Sequence, residues 1–190
     1  MKQKAISILK EDIELKNKVI KDLPDKIVEA AKLIAEALKA GKKVLFFGNG
    51  GSAADAQHMA CELIGRYKKE RKALPAIALS TNTSNLTAIS NDYSFDDIFS
   101  RQIEGLGQKG DIAFGISTSG NSRNVIKAIE LAKKQGLKTI GLLGCDGGKI
   151  KDISDLSIIV PAKSTPRIQE SHLTIEHIIC ELVEEELFSK

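Results

Sequence analysis

Histidine is scarce in this chain, and its three copies fall on only two helical stretches. His58 lies on the first, within a helix predicted over Ser52–Arg66, and His172 and His177 lie on the second. At 100° per residue, Asp55, His58 and Glu62 share one side of the first helix. Ala53, Ala56, Ala60, Leu63 and Ile64 form a stripe nearly opposite, expected to face the core. The second stretch sets Arg167-Ile168-Gln169-Glu170-Ser171-His172 and Glu176-His177 among apolar residues. His58, Glu62 and His177 would make a catalytic zinc set, two imidazoles and a carboxylate, with a glutamine or water in the remaining position. His172 is read as a core histidine. On one straight helix Gln169 and His177 are displaced by about 12 Å, whereas the ligands of one zinc lie within roughly 4 Å of each other. Both can serve one metal only from different subunits, or if the helix begins after Gln169. The polar side of Ser52–Arg66 also points away from its own core, and both features favour a site assembled at a subunit interface.

Two loops carry a different chemistry. In Phe47-Gly48-Asn49-Gly50-Gly51-Ser52 the glycines let the backbone turn tightly and bring N–H groups close to a ligand. Ser52 is expected to cap the helix that follows, whose N-terminus attracts anions. The dinucleotide fingerprint Gly-x-Gly-x-x-Gly is absent. In Gly115-Ile116-Ser117-Thr118-Ser119-Gly120-Asn121-Ser122, four hydroxyls converge on the start of another helix, a phosphate cradle that needs no lysine. No Gly-Lys-Ser/Thr follows, so a P-loop is excluded.

These loops need a scaffold. Apolar runs at 43–48, 76–80, 111–117, 138–143 and 156–160 read as buried strands bounded by turn signals, with helical patterns between them. Helices are expected over Ser122–Gln135, stopped by Gly136, and from about Arg167 to Glu186. Alternating strands and helices imply an α/β fold, a three-layer sandwich with a five-stranded parallel sheet covered on both faces. Before it come two helices, one with Ile6, Leu9, Ile13 and Ile20 on a face and ended by Pro24. The other carries Ile27, Ala30, Ala31, Ile34, Ala37 and Leu38, and Gly41 stops it. Residues 1–190 read as a single domain, 1–41 being the helical pair and 42–190 the core.

Composition narrows the function classes. A net charge of +3 over 190 residues is too balanced for a dedicated DNA binder. Aromatics at 4% are too few for the stacking platforms that hold single-stranded nucleic acid. The basic run Lys68–Lys72 is read as a solvated loop. Cys61, Cys145 and Cys180 form no Cys-x-x-Cys pair, which excludes a disulfide framework or a cysteine zinc knuckle and leaves them to packing. With neither a secretory signal nor a run long enough to span a membrane, a reducing, cytoplasmic setting is expected.

Taken together, Gly48-Asn49-Gly50-Gly51-Ser52, Gly65-Arg66-Tyr67, Asn91-Asp92, Ile116–Ser122 and Arg167-Ile168-Gln169-Glu170 resemble the phosphoheptose isomerases of the sugar isomerase (SIS) family, in order and spacing, over nearly the whole chain. The resemblance implies a cytoplasmic homotetramer with active sites shared between subunits, its N-terminal helices packed in the tetramer. It implies conversion of sedoheptulose 7-phosphate to D-glycero-D-manno-heptose 7-phosphate, the first step of ADP-heptose synthesis for the lipopolysaccharide core. Asn49, Gly50, Gly51, Ser52, Asn91 and Asp92 would touch the sugar phosphate, and Ser117, Thr118, Ser119 and Ser122 would hold its phosphate. His58, Glu62, Gln169 and His177 would form the zinc and acid/base cluster, one zinc per subunit. Some relatives carry an acidic residue before Arg-Ile-Gln, where this chain has Thr165-Pro166.

The chemistry agrees with that resemblance. Moving a carbonyl between neighbouring carbons requires taking a proton beside it and returning it next door, through an enediol(ate). Glu62 in a partly desolvated site is suited as that base, and His177 as the group that moves protons at the oxygens or opens the ring. A non-catalytic relative, binding a replication initiator or sensing a phosphosugar, could keep both loops and lose the acid/base groups, but here Glu62, His58, Gln169 and His177 occur together.

Overall fold

The computed structural model describes residues 1–189. Strands β1 (Val44–Gly48), β2 (Ala76–Ala78), β3 (Ile112–Ser117), β4 (Lys138–Gly144) and β5 (Leu156–Val160) form one parallel sheet in the order β2-β1-β3-β4-β5. Every residue of β1 and β3 is buried, as expected where helices cover both faces. Within β1, Val44 and Phe46 enter one apolar cluster and Leu45 and Phe47 the other. The first cluster is closed by helices α2 (Pro24–Lys39), α3 (Gly51–Ile64) and α8 (Thr165–Phe188). The second is closed by α5 (Ser100–Leu106), α6 (Arg123–Lys134) and the short α7 (Ile150–Ile153). Helix α1 (Lys2–Asp22) precedes α2, and α4 (Thr83–Asp92) with the 3-10 turn Phe95–Asp97 links β2 to α5. No described helix is long and apolar enough to cross a membrane.

The strand order reverses between β1 and β3, and ligands of open parallel sheets sit beyond the strand carboxyl ends at such a switch point. Both loops singled out by composition leave the sheet there, one after β1 and one after β3.

The structure adds to two readings of the helices and corrects a third. Pro24 does not merely end α1; it opens α2, where a missing N–H costs nothing. Leu9, Ile13 and Ile20 of α1 are 59–68% exposed, and Leu15 and Val19 on another side are buried instead. The apolar stripe thus faces away from this chain's core. On α3 the buried line is Ala56, Met59, Ala60 and Leu63, while Ile64 is half-exposed and Ala53 only partly covered.

The basic run is a loop with Lys68, Glu70 and Lys72 exposed, as expected, but Arg71 is not solvated. Arg71 and Glu184 are almost fully enclosed, and Arg71 Nε donates to Glu184 Oε1 at 2.9 Å. The same carboxylate accepts the backbone N–H groups of Tyr67, Lys68 and Lys69 at 2.8–2.9 Å. The Arg71 guanidinium also donates to the carbonyls of Glu62 and Leu63, groups that the end of α3 leaves unpaired. Burial pushes the Glu184 carboxyl up, but the three backbone donors and Arg71 outweigh it and hold its pKa below the usual carboxylate value. The contribution is therefore complete above the ordinary carboxylate range, begins to decline as pH falls into it, and is gone only below the depressed folded value. Glu184→Gln should lose about 3 kcal/mol or more at pH 7, and the gap to the parent should narrow at pH 4. Urea unfolding at the two pH values checks this; equal gaps would contradict it.

Candidate active site

Helices α3 and α8 lie side by side on one face of the sheet and bring His58, Glu62 and His177 together. The Nε2 atoms of His58 and His177 are 2.8 Å apart. Glu62 Oε1 is 3.4 Å from His58 Nε2, one helical turn away on the same helix. One ligand-type atom from each residue lies within 4.8 Å of the others. Two imidazole nitrogens facing each other have at most one proton to share when neutral, so a lone pair is left pointing inward beside a carboxylate. That is the donor chemistry a divalent metal takes, with three protein ligands and an open position.

All three side chains of the triad come from one chain, and His58 stays 38% exposed beside α8. Gln169 is different. It lies within α8, which begins at Thr165, two turns before His177. The helix does not start after Gln169, and the residue stands apart from the triad of its own chain. Its amide rests against Gly51, where a Cβ would overlap it.

The loop after β1 turns through Gly50, at φ +57°, a conformation that favours glycine. Gly50, not Ser52, is the N-cap of α3. Ser52 is buried in the first turn, its N–H donating to the Asn49 carbonyl at 3.0 Å. Asn49 and Asn124 exchange amide hydrogen bonds, both 2.8 Å, and so tie the β1 loop to the first turn of α6. Asn124 escapes the sequence reading, although its place two residues after Ser122 was a usable sign. In the β3 loop Ser117 Oγ meets Ser122 Oγ at 3.0 Å, and Ser119 Oγ accepts the Asn121 N–H at 3.1 Å. Ser122 is the N-cap of α6 but makes no side-chain cap, and Thr118 is half-buried. Asn91 and Asp92 end α4, a helix with no buried residue, and bond to each other at 2.8 Å in the open.

Behind the triad lies a buried polar layer. His172 is fully enclosed and burial pushes its pKa down to about 4. Its Nε2 lies 2.9 Å from the Leu143 carbonyl, which only accepts, so Nε2 carries the proton. It is a core histidine, as expected. Cys180 is buried too, whereas Cys61 and Cys145 are exposed and do not pack. Glu176 is fully enclosed with neither carboxyl oxygen hydrogen-bonded. Burial, and then the charge of Asp55, push its pKa up to about 8, and burial raises Asp55 to about 6 against the opposing pull of His58.

This fold, with its glycine and hydroxyl loops at the switch point, defines a sugar isomerase domain. The SIS domain family matches residues 9–144, and the chain belongs to that family. Within it the chain stands with the phosphoheptose isomerases and is an isomerase. One such enzyme, from a Nitratiruptor species, is 61% identical over 168 residues, 88% of this chain and 90% of its own. The structure of phosphoheptose isomerase from Neisseria gonorrhoeae shares 43% identity with a TM-score of 0.93, over 97% of this chain and 98% of that one. A phosphoheptose isomerase structure from Francisella tularensis gives 36% identity and a TM-score of 0.94, over 96% and 97%.

Glu176 supplies a test of the buried layer. Its folded pKa near 8 exceeds the ordinary value of 4.5, so the protein is most stable with Glu176 protonated. That advantage is whole below about pH 4.5 and is lost as pH climbs through 8, at about 1.4 kcal/mol for each pH unit between the two values. Glu176→Gln, a neutral isostere, should flatten the fall in urea midpoint between pH 5 and 8. A variant as pH-sensitive as the parent would contradict the assignment.

Proposed function

We propose that the chain converts sedoheptulose 7-phosphate to D-glycero-D-manno-heptose 7-phosphate in the cytoplasm, opening ADP-heptose synthesis for the lipopolysaccharide core. The convergence of His58, Glu62 and His177 carries this reading, because a binding module of the same fold has no need of an acid/base group there. The names of the relatives support the substrate.

The phosphate rests on Ser117, Thr118, Ser119 and Ser122 at the N-terminus of α6, where free N–H groups and the helix dipole favour an anion. Asn49, held by Asn124, and Gly50, Gly51 and Ser52 bound the sugar chain, with Gln169, Asn91 and Asp92 completing the contacts. Glu62 removes the proton beside the carbonyl and returns it to the neighbouring carbon. His177 moves the proton between the two oxygens. His58, Glu62 and His177 would hold a zinc ion, with Gln169 of another subunit as fourth ligand, and zinc when bound supplies Lewis-acid polarisation of the carbonyl. Coordination lowers the basicity of Glu62, so its two roles compete.

A homotetramer accounts for two features. Gln169 is too far along α8 to join its own triad, and the Leu9–Ile13–Ile20 stripe has no cover within one chain.

Incubating the protein with sedoheptulose 7-phosphate in deuterated water tests the reaction directly. Aldose carrying deuterium at C2 should form, stop after chelation and return with zinc. Glu62→Gln should abolish the exchange while leaving the circular dichroism spectrum unchanged; near-normal turnover would remove Glu62 from the role of base. Ile13→Asp with Ile20→Asp should reduce the sedimenting mass, and an unchanged mass would place the interface elsewhere.

A further inference from the structure

Helix α8 fixes the backbone of His177 but leaves both side-chain rotations open, and only the ring's neighbours can restrict them. On one side the His58 ring meets it edge-on, centroids 5.0 Å apart and planes at 63°. A second ring also contacts it. Tyr67 has its centroid 5.7 Å from that of the imidazole, with the planes only 31° apart. This is within the range of offset aromatic packing.

Tyr67 belongs to neither helix of the triad. It lies in the loop after α3, and its backbone N–H is bound by the enclosed Glu184 at 2.9 Å. Glu184 follows His177 by seven residues, two turns along the same side of α8. One face of one helix thus carries both the imidazole and the carboxylate that brings an aromatic ring to it. The ring is held from another direction by Lys68, whose amino group is 5.7 Å from its centroid and is paired with Glu181 at 2.7 Å. Phenol and loop together leave the imidazole little room to turn its Nε2 away from His58 and Glu62.

We infer that Tyr67 is a positioning residue: its ring, anchored through Glu184, keeps His177 Nε2 aimed at His58 and Glu62. The ring does this, not the hydroxyl, so phenylalanine should serve and an aliphatic residue should not. The inference rests on the isomerase reading only where turnover is measured; its other readouts concern the free protein.

The test compares the parent, Tyr67→Phe and Tyr67→Leu, with Tyr67→Met as a second aliphatic variant in case leucine lowers the melting temperature. In the metal-free protein the ring-proton resonances of His177 should keep their ring-current shift in the parent and in Tyr67→Phe, and lose it in the aliphatic variants. Zinc alone, titrated against a competing chelator, should bind the aliphatic variants about ten- to a hundred-fold more weakly, with Tyr67→Phe close to the parent. On sedoheptulose 7-phosphate the aliphatic variants should lose about ten-fold or more in kcat with little change in KM. Aliphatic variants that keep both the ring shift and the zinc affinity would overturn the inference. So would a Tyr67→Phe as damaged as Tyr67→Leu, which would assign the effect to the hydroxyl. If the parent fails to turn over the sugar while the resonance and zinc results hold, the isomerase reading falls and the role of Tyr67 stands.

Discussion

Glu184 is a carboxylate almost wholly removed from water, a state that costs several kcal/mol unless every lone pair is answered. Here the answers come from three successive backbone N–H groups and a buried guanidinium, all delivered by the segment that follows α3. The exchange constrains far more than the loop. Arg71 can reach Glu184 only if it also covers the last carbonyls of α3, which fixes where that helix stops. It also ties the end of α3 to α8, alongside the apolar packing of Met59 and Leu63 with Ile179 and Val183. The geometry of the candidate site is in this sense tied to satisfying one buried charge two turns away on α8.

The second constraint is topological. Parallel strands with a reversal of order between β1 and β3 leave a crevice at their carboxyl ends, and the chain fills its two banks with residues of small volume and high hydrogen-bonding capacity. The reciprocal amide pair of Asn49 and Asn124 holds the banks at a set width. His58 and Glu62 follow Gly51 by seven and eleven residues along α3, so the triad is set back from these banks by two to three turns of that helix.

Much of this could be read from the residues. Buried parallel strands announce themselves as short apolar runs, and α2 buries the face its period marks because a core lies on only one side of it. The triad was visible because α3 and α8 keep their helical phase over the relevant residues. What escaped was whatever depends on partners remote in sequence. Nothing local separates Arg71 from the exposed lysines around it, since its partner lies 113 positions away. The periodicity of α1 marks an apolar face without saying whose core it enters, and within this chain that face stays exposed. Ser52 failed as a cap because Gly50, at positive φ, starts the helix sooner than a serine rule expects.

The edge strand β2 has its own consequence. It is three residues long and is entered through Pro75, which has no N–H to offer. An unpaired strand edge is ordinarily a template on which other chains extend a sheet, with aggregation as the outcome. So short an edge presents too few free groups to start a ladder, and that flank of the sheet is closed to growth. On that flank any contact with another chain is left to side-chain matching, which is selective, and not to backbone pairing, which is indifferent to sequence.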